Sequence, residues 1–404
     1  MYRLLVALLL LLPRLATAQA VLSGTVLDSL THQPLPFASV FLANTTLGAI
    51  TTEQGRFTFS NVPPGTYDVV ASYVGYRLAR QTIKVGTIAQ QLTLRLAPAT
   101  SQLGEVVVRP NPNRASDYQK FKDLFLGRST FSLQCHIRNP DDVLLDFDPV
   151  ANELTASAYK FIQVDNDALG YRIKYYGLRF NTNFTRQIVT FYGQPVFEEM
   201  TTRSKRQQRR WEANRVRAYQ GSLTHFLKSV HDNRVAAEGF VARRLRIVDN
   251  PGFARVDSLR KALLRRRSGY SAAEHDSLAR WAKVPPSLAM LYTAARPIDS
   301  LRCVSDDGKH IFLRFRDRLQ VSYLNAGPDP FYQLQASPWA RVSPTPVTNR
   351  QVSQLLLIQP EVELLYNGRL ANPLAVFTDE YWGFEKMGEF LPLNYLPISP
   401  VSHP

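Results

Sequence analysis

Between Val21 and Leu96 the apolar positions come in short alternating runs, each closed by turn residues at close spacing, which is the pattern of a small antiparallel sandwich. Gly24 to Asp28 reads as a first strand and Pro36 to Leu42 as a second, with Phe37, Ser39 and Phe41 opposite Ala38, Val40 and Leu42. Alternate residues face opposite sides of a strand, so the smaller set is expected beneath the facing sheet. Glu53-Gln54-Gly55 turns the chain into Arg56 to Phe59, whose two phenylalanines fall on one face. Val62-Pro63-Pro64-Gly65 is a turn before Thr66 to Val70, Gly75 reads as a bulge inside a strand, and Gln81 to Val85 and Gln91 to Leu96 supply the last strands.

Beyond Asn113 the period is mixed and predicts a larger α+β domain with a mostly antiparallel sheet. Asp117 to Phe125 reads as a short helix; Val143 to Phe147, Leu154 to Val164 and Tyr171 to Phe180 read as strands. Tyr171, Ile173 and Tyr175 alternate with Arg172, Lys174 and Tyr176, giving one apolar and one largely basic face. A strand at Phe184 to Tyr192, with the run Ile188-Val189-Thr190-Phe191-Tyr192, is expected to turn at Gly193-Gln194-Pro195. Ser222 caps a helix with a stripe of Leu223, Phe226, Leu227 and Val230, which Gly239 is placed to end. Helices are predicted at Asp257 to Arg267 and at Ser271 to Lys283, the latter with Ser271 and Glu274 in capping-box spacing, inside a helical insertion at about 250–300. Strands return at His310 to Phe315, Leu319 to Leu324, Gln351 to Ile358 and Val362 to Tyr366, the last followed by the hairpin signal Asn367-Gly368. The aromatic ending from Tyr381 to Leu393 is expected to dock on the body.

The first residues change the setting of this fold. Arg3, the apolar run Leu4 to Leu12 and the small residues Ala16-Thr17-Ala18 read as an export signal over residues 1–18. That run is too short to cross a bilayer, and no later stretch of sufficient length lacks charge, so no transmembrane helix is expected. The remainder divides into a sandwich over 19–98, a linker or extended strand over 99–114, and the α+β domain over 115–404. Cys135 and Cys303 permit either one disulfide or two buried thiols. The chain carries 48 Lys and Arg against 33 Asp and Glu, a net charge of +15. In an exported protein that excess points to anionic envelope polymers or lipid rather than to nucleic acid.

Several short motifs carry a family likeness: Gly24-Thr25-Val26 with Asp28, Pro36 to Val40, Thr52 to Phe57, Pro64-Gly65-Thr66-Tyr67 and Tyr73-Val74-Gly75-Tyr76. Together they resemble the carboxypeptidase-regulatory-like domain. The resemblance implies a seven-stranded, transthyretin-like Greek-key sandwich, found beside metallocarboxypeptidases and at the front of TonB-dependent outer-membrane receptors. It implies fold and brings no activity, since fold and function separate readily. Leu103-Gly104-Glu105-Val106-Val107-Val108 is similar to the extended segment preceding the plug of those receptors, which makes Glu105, Val106, Val107 and Val108 a candidate partner-binding strand or else a plain spacer. The segments Asn166 to Tyr176, Gly221-Ser222 and Tyr381 to Leu393 also resemble uncharacterised envelope proteins that carry such a module in front.

No histidine is followed three residues later by Glu, so the zinc set of a metallocarboxypeptidase is not written here. There is no nucleophile elbow, phosphate-binding glycine loop or Cys-x-x-Cys pair. His231-Asp232 with a distant Ser or Cys135 is a conceivable nucleophilic set, equally explained as helix surface. The densest charge lies at Arg203, Lys205, Arg206, Arg209, Arg210, Arg215 and Arg217 around Trp211. On a helix, Arg203, Arg206, Arg210 and Arg217 fall near one face, either an anionic-surface site beside the Trp211 indole or a solvated connection. An outer-membrane barrel is not expected, because the chain has helical insertions and lacks repeated ten-residue alternation. The sequence thus predicts a non-catalytic interaction or structural protein of the Gram-negative envelope, in the periplasm or at the outer membrane, with no cofactor and no metal. The alternatives are a periplasmic hydrolase acting on peptide or glycan, or a protein associated with lipopolysaccharide or lipid.

Overall fold

The computed structural model describes residues 20–99, 113–266, 269–334, 349–395 and 397, and the chain divides into two compact units, 1–108 and 109–404. Seven strands build the first: β1 (Ala20–Asp28), β2 (Ser39–Leu42), β3 (Gly48–Ile50), β4 (Arg56–Val62), β5 (Gly65–Ser72), β6 (Ala79–Val85) and β7 (Gln90–Leu96). They form two sheets, β4-β1-β7 and β3-β2-β5-β6, with β1 and β7 parallel and the other pairs antiparallel. Alternation along β1 places Leu22 and Val26 in the core with Phe57, Phe59, Val40, Leu42, Val69 and Leu94. The small residue set of the second strand faces inward as expected, yet β2 begins only at Ser39. Phe37 takes a positive φ of 58°, and the buried Thr51 hydroxyl donates to the Leu35 carbonyl at 2.7 Å while accepting from the Ala38 amide at 2.8 Å. That side-chain clamp adds to the backbone bonds of Phe37 and Ala38 with Thr51, so the two segments are tied together before the strand starts. Gly75, at φ +82°, lies in the turn between β5 and β6 rather than in a bulge, with the Tyr76 amide donating to the Tyr73 carbonyl.

The second unit is α+β, and all its named strand pairs are antiparallel. Helix α1 (Arg114–Leu126) buries Phe121 and Phe125 against a six-stranded sheet. That sheet contains β8 (Cys135–Ile137), β9 (Val143–Asp148), β10 (Glu153–Ala158), β11 (Phe161–Asn166), β12 (Tyr171–Asn183) and β13 (Ile188–Glu199). Its order is β8-β11-β12-β10-β9, with β13 along the other side of β12. The expected turn at Gly193-Gln194-Pro195 is absent, and β13 runs straight through. Among the described residues β13 pairs only with β12, so Pro195 costs no donor to a second neighbour there. A Cβ at Gly193 would stand 2.3 Å from the Tyr175 ring, which explains a glycine without a turn. The basic face of β12 is internally matched: Arg172 donates to Asp165 at 2.8 Å and Lys174 to Glu198 at 2.6 Å.

After α2 (Lys205–Tyr219) and α3 (Leu223–His231) comes a second sheet, ordered β15-β14-β18-β19-β21. Its strands are β14 (Phe240–Asp249), β15 (Ser287–Ala295), β18 (Arg318–Tyr323), β19 (Gln351–Leu357) and β21 (Val376–Glu380). A small sheet of β16 (Arg302–Val304), β17 (Ile311–Leu313) and β20 (Val362–Leu364) completes the strands. Phe226, Leu227 and Val230 of α3 bury into this second core as their spacing predicts, under the cap of Ser222. Gly239 does not end the helix, which stops at His231; at φ +85° it turns the chain into β14. Among the described residues the predicted insertion is helical over α4 (Phe253–Leu264), α5 (Ala272–Ala282), the latter with the Ser271–Glu274 capping box, and one 3-10 turn at Ile298–Ser300. Its remainder is β15, because Pro285-Pro286 stops the helix and returns the chain to β14.

Cys135 and Cys303 are both free thiols. Cys135 belongs to the first core, where burial pushes its thiol up, whereas Cys303 lies half-buried on β16. The thiolate is the reacting form, so a native-state alkylating reagent is expected to modify Cys303 and spare Cys135 until the protein unfolds. Equal labelling rates, or a disulfide found by non-reducing mass spectrometry, would contradict this placement.

Candidate functional site

Four places in the second unit stand out. At α2, Ser204 caps the helix by accepting from the Gln207 amide, so Arg203 precedes it and does not share its face. Trp211 is only 7% exposed, its indole donating to the Asp167 carbonyl at 2.9 Å. Gly170, at φ +69°, lies flat beneath the ring, where a Cβ would come within 2.3 Å. The indole is therefore an anchor inside the fold and not part of an exposed stripe. Arg215 is also internal in function: its guanidinium stacks 4.0 Å over Tyr171 and donates to the Leu169 carbonyl at 2.8 Å. Arg217 lies over the Phe131 ring. Arg203, Lys205, Arg206, Arg209 and Arg210 remain exposed. Residues Glu105 to Val108 lie outside the described residues.

His231 closes α3, with its Nδ1 2.8 Å from Asp232; Lys228 holds the same carboxylate at 2.8 Å and, with His231, pulls it below the usual range against the effect of burial. Cys135 lies instead in the first core, its thiol donating to the Phe131 carbonyl. His231, Asp232 and Lys228 thus form a polar cluster at the end of α3, and Cys135 is not part of it.

The sequence reading missed a cluster of half-buried charge in the C-terminal segment. Glu385, Lys386 and Glu389 sit among the aromatic residues expected to dock there, beside a short helix at Tyr381–Phe384. Glu389 accepts from the Ser129 and Ser132 hydroxyls and from the Lys386 amide. Burial outweighs these bonds and pushes its carboxyl up to about 7. Burial and the Glu389 charge also raise Glu385 well above the ordinary carboxylate range, and burial lowers the Lys386 ammonium. Asp329 accepts from the Thr130 hydroxyl at 2.6 Å and from its amide at 3.1 Å. These acids border a cavity of about 80 Å³, with Gln351 on its wall; the Gln351 side-chain oxygen has no hydrogen-bond partner among the described residues. Sites for drug-sized ligands occupy roughly 300–1,000 Å³. A raised carboxyl beside a serine suggests general acid chemistry, and this volume has room for a few waters. The three charged residues within an apolar run were the available signal.

The fourth place is β15, an edge strand without a charged residue among the described residues. Leu288, Met290, Leu291 and Tyr292 are 43%, 50%, 44% and 40% exposed. No described residue of α4 or α5 is buried. Among the described residues no helix is long and apolar enough to cross a membrane, and no group of three or more His, Cys, Asp or Glu could hold a metal ion.

Comparison with known proteins identifies one part of the chain. Residues 22–108 match the family described as CarboxypepD_reg-like domain. No curated protein matches the chain. Among solved structures, the pilus 2b backbone protein of group B streptococcus is 18% identical, the match covering 20% of this chain and 42% of that one at a TM-score of 0.19. The major pilin subunit of Bacillus cereus is 18% identical over 20% and 31% at 0.18, and a putative carbohydrate binding protein from Bacteroides uniformis 11% over 44% and 79% at 0.17. The chain spans less than half the length of the two pilus proteins. At these TM-scores the likenesses carry no argument.

Proposed function

We propose that the chain is a non-catalytic interaction or structural protein of a Gram-negative cell envelope, exported by its N-terminal leader. Its regulatory-like module acts as a binding or spacing element, and residues 109–404 carry the partner surface. The observation that carries this reading is the module at residues 22–108, whose buried polar groups are used for structure. Tyr76 donates to Asp28 at 2.7 Å, Thr82 to Asp68 at 2.6 Å, and Thr51 clamps two segments of backbone. The exposed cations at the start of α2 add a surface that suits anionic envelope polymers.

Crosslinking in intact envelopes, followed by fractionation and mass spectrometry, tests the reading. Discrete envelope proteins crosslinked to both units are the expected result. Turnover of a cell-wall glycan or peptide by purified protein, abolished by His231→Ala or Asp232→Asn without unfolding, would replace it with the hydrolase alternative.

A further inference from the structure

The edge of β15 is built to accept another strand. Soluble sheets protect their edges with charges, prolines or covering elements, and β15 has none of these among the described residues. The other edge of the same sheet, β21, is half-buried throughout and carries Asp379 and Glu380. The register shows which groups point outward. The Asn250 amide donates to the Pro286 carbonyl at 3.0 Å, and the pairing continues as Asp249 with Ser287 through Leu245 with Leu291. Bonded pairs alternate in an antiparallel ladder, so Leu288 and Met290 bond to β14 while Ala289 and Leu291 turn their amides and carbonyls away from it. A lipid surface would leave those groups unpaired, whereas a strand satisfies them.

Charge selects the kind of strand. Residues 240–296 contain 12 Lys or Arg against 4 Asp or Glu, a net +8 within the chain's +15. Arg246 stands opposite Met290, and Arg296 follows β15 directly. A second copy of this arm would bring like charges together. We infer that the β15 edge binds an extended segment of another protein, apolar at its centre and acidic at its ends, by strand addition. This rests on the interaction reading above and names its partner by chemistry.

The test uses the full chain and a labelled peptide, Glu-Glu-Val-Thr-Val-Thr-Val-Glu-Glu, with a Lys-flanked counterpart. The acidic peptide is expected to bind at least tenfold more tightly than the basic one, more weakly as salt rises, and to protect the Ala289 and Leu291 amides from hydrogen exchange. Ala289→Pro removes an outward amide without removing a β14 bond and is expected to cost at least tenfold in binding at unchanged melting temperature. Arg246→Glu, a surface change, is expected to weaken the acidic peptide and strengthen the basic one. The inference is overturned by equal binding of the two peptides, by amides already protected in the free protein, or by self-association that Ala289→Pro abolishes. Envelope crosslinks that persist after such a failure leave the broader reading intact.

Discussion

Raising the pH from 5 to 8 is expected to lower the stability of residues 109–404 by about 3 kcal/mol, and Glu389→Gln is expected to remove most of that loss. The Glu389 carboxyl is held up to about 7 by burial, against 4.5 for an ordinary glutamate. The folded protein therefore binds this proton more tightly than the unfolded chain. Its contribution is complete below about pH 4.5 and disappears as pH rises through about 7. Glu385, raised by burial and by the Glu389 charge, acts in the same direction. Lys386 acts oppositely: burial favours its neutral form, so its contribution is present above the ordinary lysine range and lost as pH falls through the lowered value. Comparing urea midpoints of the native protein and Glu389→Gln at several pH values isolates the carboxylate. A flat native profile, or the same slope in both proteins, would show that Glu389 ionises freely where it lies.

Trp211→Ala is expected to destabilise the second unit by about 3–5 kcal/mol, lowering its melting temperature by roughly 10 °C. The substitution empties the space above Gly170 and leaves the Asp167 carbonyl without its indole donor. It also loosens the helix that carries Arg215 onto Tyr171. Arg206→Glu on the exposed side of the same helix is expected to change stability by no more than about 0.5 kcal/mol. Thermal melts of the two variants compare anchor with surface directly. Similar melting temperatures for both would return Trp211 to the surface role suggested by its basic neighbours.

The contrast marks where the sequence could be read. Phe57 with Phe59, the Phe226 to Val230 stripe and the Ser271–Glu274 capping box depend on neighbours a few residues away, so local spacing revealed them. Gly193 and Pro195 looked like a turn because their local preference points that way, and only the Tyr175 ring and the free side of β13 show why a strand holds them. The candidate site was less legible. The partners of Trp211 and Glu389 come from segments some 44 and 260 residues away, a relation that no local period contains. β15 was lost for another reason: its apolar run lay inside a stretch whose stronger capping signals favoured helix.

The parallel ladder between β1 and β7 has a mechanical consequence. It pairs Leu22 with Gln90 and continues to Asp28 with Leu96, so the chain enters the module at one end of the ladder and leaves at the other. A pull between Ala20 and Leu96 then loads the cross-strand bonds along their shear direction, all sharing the force, instead of opening them one by one as a zipper opens. The first module is thereby suited to transmit tension along the chain without unravelling.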